Sequence, residues 1–187
     1  MSAIIREERI GGQRLIQGDC LAVIGEVKAE LLLTDPPYGI NYGKLTRGKG
    51  DGKGGLDKNS WKDYGDFDWD ASRPDSETFA CLLQATENQV IWGGNYFADL
   101  LPPKMGWLVW DKMQRDFSLA DFELAWTSRD RAGRALSYSR PQALQDGRHH
   151  PTQKPVALME WCLGFFPKAE TVIDPFMGSG TTLVGCQ

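Results

Sequence analysis

The stretch ELLLTDPPYGINYG, residues 30–43, ends a run of three leucines with a threonine, a carboxylate, two prolines and an aromatic ring. A short apolar run bounded by turn-forming residues is typical of a buried strand. Neither a strand nor a helix continues easily through Pro36 and Pro37, because proline fixes φ and has no backbone N–H. The sequence therefore predicts a buried strand with an acidic and aromatic turn, Asp35 to Tyr38, directly after it.

Five other short apolar runs are also predicted to be strands. They are RLIQ (14–17), QVIWGG (89–94), GWLVWDK (106–112), FELAWTS (122–128) and TVIDPF (171–176). Helices are predicted to begin near Pro74 and Asp75 and at Pro155. This alternation of strands and helices predicts an α/β fold with a doubly wound, mostly parallel sheet.

The composition is that of one domain, residues 1–187, with a core large enough to need no disulfides. Its four cysteines are scattered without C-x-x-C spacing, and His149 and His150 lack a third ligand at a suitable spacing, so no metal site is predicted. The sequence shows neither a signal peptide nor an apolar run that approaches 18 residues, which favours a cytoplasmic protein without membrane contacts.

Positive charge is concentrated in two segments, although the formal net charge of -4 argues against nonspecific coating of nucleic acid. Residues 43–62 contain six lysines and arginines against two aspartates, and residues 128–148 contain five arginines against two aspartates. Charge runs are commonly solvated loops. Because six of the thirteen residues in 43–55 are glycine, we expect a mobile basic loop there.

The stretch IDPFMGSGTT, residues 173–182, is a second strand that ends in Asp-Pro. Gly178 and Gly180 permit a tight turn close to a ligand, and Thr181 and Thr182 open a helix whose amides attract an anion. Neither a phosphate loop nor a dinucleotide fingerprint fits, because no lysine follows Gly180 and the glycine spacing differs. Ligands of doubly wound sheets bind outside the carboxyl ends of the strands, so both Asp-Pro turns are predicted at one edge.

The first turn has the chemistry to activate an exocyclic amine of a nucleobase. Asp35 and the carbonyl of Pro36 can each accept one N–H of such an amine. Two acceptors favour the pyramidal form of the nitrogen, which frees its lone pair for attack. The Tyr38 ring can stack on the face of the base.

Four segments together resemble the amino-methyltransferases of DNA. They are GDC (18–20), DPPY (35–38), HPTQKP (150–155) and DPFMGSGTT (174–182), and their order is that of the β-type permuted members. The segments IWGGNYF (91–97) and ELAWTS (123–128) also resemble phage-borne members. The resemblance implies a Rossmann-like fold and direct transfer of a methyl group from S-adenosylmethionine to adenine N6 or cytosine N4.

The resemblance also implies roles for individual residues. The target amine would be held by the catalytic residues Asp35, Pro36, Pro37 and Tyr38. The cofactor would contact Asp174, Pro175, Phe176, Gly178, Ser179, Gly180, Thr181 and Thr182 on the glycine turn. Further cofactor contacts are expected from Asp19 and Cys20 beside the adenine and from Thr152 and Lys154 beside the carboxylate. Lys154 and Asp19 are equally compatible with an ordinary cation and an ordinary turn residue.

Double-stranded DNA is the partner that the resemblance implies, with the target base flipped out of the helix. The basic loop, residues 43–62, would close over DNA, and residues 128–148 occupy the interval of a target-recognition segment, here short. The predicted DNA-binding residues are Lys44, Arg47, Lys49, Lys53, Arg129, Arg131 and Arg134. A second subunit, as in a homodimer, and a cognate restriction nuclease are further partners considered.

Adenine N6 is the favoured target, because in this family an aspartate at position 35 goes more often with adenine. Cytosine N4 remains an alternative, as do an RNA base and a noncatalytic nucleic-acid-binding remnant. The glutamine N-methyltransferases of proteins use a similar motif, but with the glycine segment first.

The chain stops at Gln187, shortly after the glycine turn. Relatives of the resembled family continue to a strand with an acidic residue for the ribose hydroxyls, and no acidic residue follows Thr182 here. We therefore expect the fold to lack its C-terminal strand or strands, as in a truncated or prophage-derived copy, and to bind the cofactor weakly.

Overall fold

The computed structural model describes residues 4–41, 69–115, 120–145 and 152–187. Eight strands lie in these ranges: β1 Ile4–Ile10, β2 Gln13–Gly18, β3 Leu31–Thr34, β4 Asn88–Trp92, β5 Trp107–Asp111, β6 Phe122–Thr127, β7 Arg134–Ser137 and β8 Val172–Ile173. The α-helices are α1 Cys20–Ile24, α2 Ser76–Ala85, α3 Arg140–Gln145, α4 Val156–Leu163 and α5 Thr181–Gly185, and a 3-10 turn covers Gly94–Phe97.

Six of the strands form one mixed sheet in the order β7-β5-β6-β4-β3-β8, and β1 and β2 form a separate antiparallel hairpin. β3 is parallel to both β4 and β8, and β5 is parallel to β7. Only β6 is reversed in this sheet, antiparallel to β4 and β5. The predicted α/β fold with a mostly parallel sheet is therefore confirmed.

Two described strands were not predicted from the sequence. All residues of β1 after Ile4 are exposed, so its sequence IIREERI lacks the buried face that produces an apolar pattern. β7 lies at the edge of the sheet and buries little, which again leaves no periodic signal. The run RLIQ does form a strand, β2, but it belongs to the hairpin and not to the main sheet.

Helices cover both faces of the sheet, as doubly wound folds require. Leu31 and Leu33 pack in one cluster with residues of α4, and Leu32 packs in another with residues of α2. All three leucines are fully buried, and such burial stabilises the fold by about 1.5–3 kcal/mol for each side chain. The continuous apolar run of β3 thus reflects a strand with two buried faces.

The helix starts agree with the local sequence. Asp75 is the N-cap of α2 and accepts a hydrogen bond from the backbone N–H of Thr78 at 2.9 Å, an interaction worth about 1 kcal/mol. α4 begins directly after Pro155, its N-cap residue. Both predicted helix starts are confirmed. None of the helices in the described ranges is long and apolar enough to cross a membrane.

The ends of the strands form two opposite sides of the sheet, and we refer to each of these sides as an edge. The carboxyl ends of β3, β4, β5, β7 and β8 lie at one edge, which we call the cleft edge. β6 is reversed, so it begins at the cleft edge, where Phe122 pairs with Asp111, and ends at the opposite edge, where Thr127 pairs with Val90. Residues at the start of β6 therefore join residues at the ends of the other strands.

Candidate active site

The two Asp-Pro turns leave the sheet side by side at the cleft edge. β3 and β8 are parallel neighbours, with Leu32 paired with Ile173. The hydroxyl of Thr34 at the end of β3 donates a hydrogen bond to Oδ1 of Asp174 at 2.7 Å. The prediction that both turns share one edge is therefore confirmed.

A cavity of about 1230 Å³ opens at this edge. Its lining includes the whole first turn, Asp35 to Tyr38, and much of the glycine turn, from Asp174 to Thr182. Typical small-molecule sites have volumes of about 300–1,000 Å³. The space is thus sufficient for a nucleoside-sized ligand together with a second planar group.

Asp35 is held by a donor on each carboxylate oxygen. The Tyr38 hydroxyl donates to Oδ1 at 2.6 Å, and the ammonium of Lys154 donates to Oδ2 at 2.6 Å. Since 27% of the side chain is still exposed, the carboxylate keeps access to the cavity. Each oxygen has two lone pairs, so each can accept one further bond from a ligand.

Lys154 is buried, with 5% of its surface exposed, and its ammonium makes three polar contacts. Besides Asp35 it contacts the hydroxyl oxygen of Tyr38 at 3.1 Å and Oε2 of Glu123 at 3.1 Å. Oε1 of Glu123 in turn forms an ion pair with the ammonium of Lys112 at 2.6 Å. The family resemblance placed Lys154 beside the cofactor carboxylate. In the structure, its ammonium is bonded to the first turn and to Glu123 of β6.

Lys154 and Glu123 stay charged at neutral pH. Burial by itself would lower the pKa of Lys154, but attraction to Asp35 and Glu123 outweighs it and raises this pKa well above its usual range. Burial would raise the pKa of Glu123, but attraction to Lys154 and Lys112 brings it down to about 2. Lys112, Glu123, Lys154 and Asp35 therefore form a chain of alternating charge.

Tyr38 is fixed by its ring as well as by its hydroxyl. Its ring stacks on Tyr96 with centroids 4.6 Å apart and meets Phe97 edge-on at 6.2 Å. A Cβ atom on Gly93, whose φ is +70°, would collide with the ring. The sequence predicted that Tyr38 stacks on the target base, and in the structure Tyr96 already covers part of the ring. Burial raises the pKa of Tyr38 well above its usual value, so its hydroxyl remains a donor.

The glycine turn is organised around neutral donors. Asp174 accepts hydrogen bonds from the hydroxyls of Thr34 and Thr182, the latter at 2.6 Å, and from the backbone N–H of Phe176 at 3.1 Å. Burial raises the pKa of Asp174 to about 6 against these bonds, which lower it. Thr182 was predicted to contact the cofactor. It lines the main cavity, and its hydroxyl donates to Asp174.

The other predicted cofactor residues are divided between two cavities and the starts of α1 and α5. Pro175, Phe176, Gly178, Ser179, Thr181 and Thr152 line the main cavity. Gly180 is buried with φ +82° and caps α5. Asp19 caps α1 by accepting from Leu21 and Ala22, and Cys20 lines a second cavity of about 780 Å³. The two cavities share Asp174 and Pro175 among their lining residues, so they meet at the glycine turn.

Among the predicted DNA-binding residues that the structure describes, Arg129, Arg131 and Arg134, none lines the cleft cavity. Lys44, Arg47, Lys49 and Lys53 lie outside the described residues. Arg129 follows the end of β6 and Arg134 begins β7, so they lie with Arg131 at the opposite edge of the sheet. The Arg129 guanidinium lies over the ring of Phe165 at 4.7 Å. A role of these arginines in binding DNA stays a prediction.

Glu123 and Lys112 were missed by sequence reasoning. An acidic residue within the apolar run FELAWTS was the available signal. It identifies a polar position in a strand, but not the ammonium groups that neutralise it. Lys112 directly follows β5 and Lys154 lies in the segment before α4, and only the sheet order brings them to Glu123.

The fold and the cleft are those of an α/β protein with two acidic turns at the carboxyl ends of adjacent parallel strands. A family model described as DNA methylase, that of the N6/N4 methyltransferases, matches residues 91–187, about half of the chain. The chain belongs to this family of DNA methylases.

Solved structures of one protein from Thermus thermophilus, described as a candidate DNA modification methylase, are also similar. One is 15% identical, with a TM-score of 0.46 over 90% of this chain and 81% of that chain. The other, complexed with S-adenosyl-L-methionine, is 14% identical, with a TM-score of 0.45 over 90% of this chain and 82% of that chain.

Proposed function

We propose that this protein transfers a methyl group from S-adenosylmethionine to the exocyclic amine of a base in DNA, and that the base is adenine, methylated at N6. The observation that carries the proposal is the pairing of β3 with β8, which places Asp35 and the glycine turn beside one cavity. A methyl donor on one turn and a base on the other would lie within reach of each other.

The glycine turn suits the cofactor because space above its backbone is open. A Cβ atom on Gly178 would meet only the carbonyl oxygen of Phe176 at 3.9 Å, so a ligand can approach the main chain there. Phe176 and Pro175 offer apolar surface beside it. The second cavity continues from this turn towards Cys20, which gives room for an extended ligand.

The catalytic contribution of the chain is positioning and electrostatics. S-adenosylmethionine, when bound, supplies an electrophilic methyl group. Asp35 and the Pro36 carbonyl would each accept one N–H of the target amine and so direct its lone pair away from the ring. The amine nitrogen would gain the methyl group as the bond between that methyl and the cofactor sulfur breaks, leaving a neutral thioether. It would then lose one proton to solvent, and the Asp35 carboxylate would stabilise the positive charge that develops in between.

The target base would have to leave the helix to reach this turn. An amine in a base pair lies inside the duplex, and rotating the nucleotide out costs a few kcal/mol. The cavity is open at the cleft edge, and exposed aromatic side chains of Trp69, Tyr96 and Phe122 line it. Such rings favour an unstacked base, because every base has a face that can stack.

A methyl-transfer assay tests the proposal. The protein is incubated with tritiated S-adenosylmethionine and unmethylated double-stranded DNA, and the digested nucleosides are separated. We expect the label in N6-methyladenine. Label in N4-methylcytosine would overturn the choice of base, and absence of label in DNA would overturn the proposal.

Two substitutions control this assay. Asp35→Ala is expected to abolish incorporation. Glu8→Ala removes an exposed carboxylate of β1, which is paired with Arg6 and lines neither cavity, and should leave incorporation unchanged. Equal incorporation by both variants would remove Asp35 from the reaction.

A further inference from the structure

The ammonium of Lys154 lies at the centre of the first turn, and the reaction proposed above gives it no role. It contacts both side chains that define the turn, Asp35 at 2.6 Å and Tyr38 at 3.1 Å. Because the Tyr38 hydroxyl also donates to Asp35, the three groups close a ring of hydrogen bonds. Neither the carboxylate nor the phenol can rotate without breaking two of these bonds.

A second carboxylate keeps Lys154 in this position. Glu123 at the start of β6 contacts the ammonium at 3.1 Å and is itself bound by Lys112 at 2.6 Å. A buried ammonium is costly unless it is paired and hydrogen-bonded, and two carboxylates satisfy it here. The four charges cancel, so the turn carries no net positive charge where a cationic nitrogen would develop.

We propose that Lys154 is a positioning residue of the active site, which fixes the Asp35 carboxylate as the acceptor of the target amine, and that Glu123 is the counter-charge which holds Lys154. This inference rests on the proposed methyl transfer. It differs from the assignment by resemblance, in which Lys154 binds the cofactor carboxylate. The two assignments predict different kinetic defects.

Lys154→Met separates them. The substitution keeps the length and apolar stem of the side chain but removes its three donors. We expect kcat to fall by about 100-fold, because small misplacements of a catalytic group have effects of this size. The dissociation constant of S-adenosylmethionine, measured by calorimetry, should rise by no more than about twofold, since the ammonium contacts Asp35 and not the glycine turn.

Lys154→Arg tests whether charge and donors are sufficient. A guanidinium can bond to both carboxylates, so we expect recovery of kcat to within about tenfold of the unmodified protein. A residue that merely filled space would be replaced better by Met than by Arg. The order of the two variants therefore distinguishes positioning from packing.

A third variant guards against a folding defect. Lys154→Met leaves Asp35 and Glu123 close together without their shared cation, which destabilises the fold. The double variant Lys154→Met with Glu123→Gln removes one of these charges and should recover thermal stability. Its kcat should remain as low as that of Lys154→Met, because the donor to Asp35 is still absent.

Lys104→Met is the matched control. Lys104 pairs with Asp130 at the opposite edge of the sheet, and this variant should match the unmodified protein in kcat and in cofactor affinity. If the unmodified protein transfers no methyl group, the proposed function fails. If it does, unchanged kcat in Lys154→Met, or weakened cofactor binding with unchanged kcat, overturns the role of Lys154.

Discussion

The two Asp-Pro turns are similar in sequence and adjacent in the fold, yet different donor groups hold their carboxylates. Asp35 is bonded to an ammonium and a phenol, and Lys154 links it to a second ion pair. Asp174 is bonded to two hydroxyls and one backbone N–H. One turn is thus part of a charged network, and the other is held by neutral donors.

The environment of each carboxylate is therefore set by residues from across the sheet and not by its own Asp-Pro dipeptide. Attraction between opposite charges keeps Glu123 and Lys154 ionised in the network around Asp35, as the pKa of about 2 for Glu123 illustrates. Burial dominates at Asp174 and raises its pKa to about 6. In the proposed reaction, the turn at Asp35 faces a developing cation and the turn at Asp174 lines the cofactor site, so their electrostatic requirements differ.

The largest expected effect comes from neutralising each carboxylate in turn. Asp35→Asn removes the charge and one acceptor at the target amine, and we expect kcat to fall by about 1,000-fold, comparable to losing a main electrostatic contact of a transition state. Asp174→Asn makes the same chemical change one strand away, where no bond to the base is proposed. Its kcat should fall by about tenfold or less, with a larger change in cofactor affinity.

Steady-state kinetics with a DNA substrate, combined with calorimetry of the cofactor, measures both variants. Equal losses of kcat would mean that the two turns do not divide the work as proposed. A Thr182→Ala variant, which removes a donor from Asp174 without changing charge, provides an intermediate case.

The pH dependence of stability distinguishes the two turns further. The pKa of Asp174 is raised from 3.8 to about 6, so the native state binds this proton more tightly than the unfolded state. Its stabilising contribution is complete below pH 4 and is lost as the pH rises through 6. The free energy of unfolding should therefore fall by about 2 kcal/mol between pH 4.5 and 7.5 on account of this residue.

Urea unfolding at several pH values, with Asp174→Asn as the reference, isolates this contribution. Glu123 contributes with the opposite sign, since its pKa is lowered from 4.5 to about 2, but its effect is confined to lower pH. A difference between the two proteins that is constant from pH 4.5 to 7.5 would contradict the raised pKa.

The last expected effect is on stability and is confined to the first turn. Gly93 has a left-handed φ of +70°, and its Cα lies against the ring of Tyr38. Gly93→Ala should reduce the free energy of unfolding by about 2 kcal/mol, because it combines an unfavourable φ with a collision. Gly12→Ala, where a Cβ meets nothing within 4 Å, is the matched control and should change stability little.

Chemical denaturation measures both glycine variants. If Gly93→Ala also lowers kcat, the position of Tyr38 matters for activity as well as for stability. Similar stability of the two variants would show that the ring of Tyr38 moves aside at little cost.

Much of the fold followed from the sequence because buried strands have a local signature. The leucine run before Asp35 and the apolar run before Asp174 both became strands, and proline marked where they end. The shared edge followed from the general rule for parallel sheets. β1 was not predicted because a strand without a buried face leaves no periodic pattern.

The charged network could not be predicted, because it joins residues that are distant in sequence. Glu123 contacts Lys154 only because β6 runs against its neighbours and begins at the cleft edge. A sequence pattern indicates the face on which a residue lies, but not the order or direction of the strands. For the same reason the sequence does not reveal that Arg129, Arg131 and Arg134 lie at the other edge, where β6 and β7 place them.

The reversed strand β6 also links the register of the sheet to the ion pair between Glu123 and Lys154. A slip of one residue in the pairing of β6 with β5 would turn Glu123 to the other face and bring an apolar neighbour, Phe122 or Leu124, against Lys154. The misregistered form would then bury an ammonium with one counter-ion too few. The lost ion pair would therefore disfavour the shifted register.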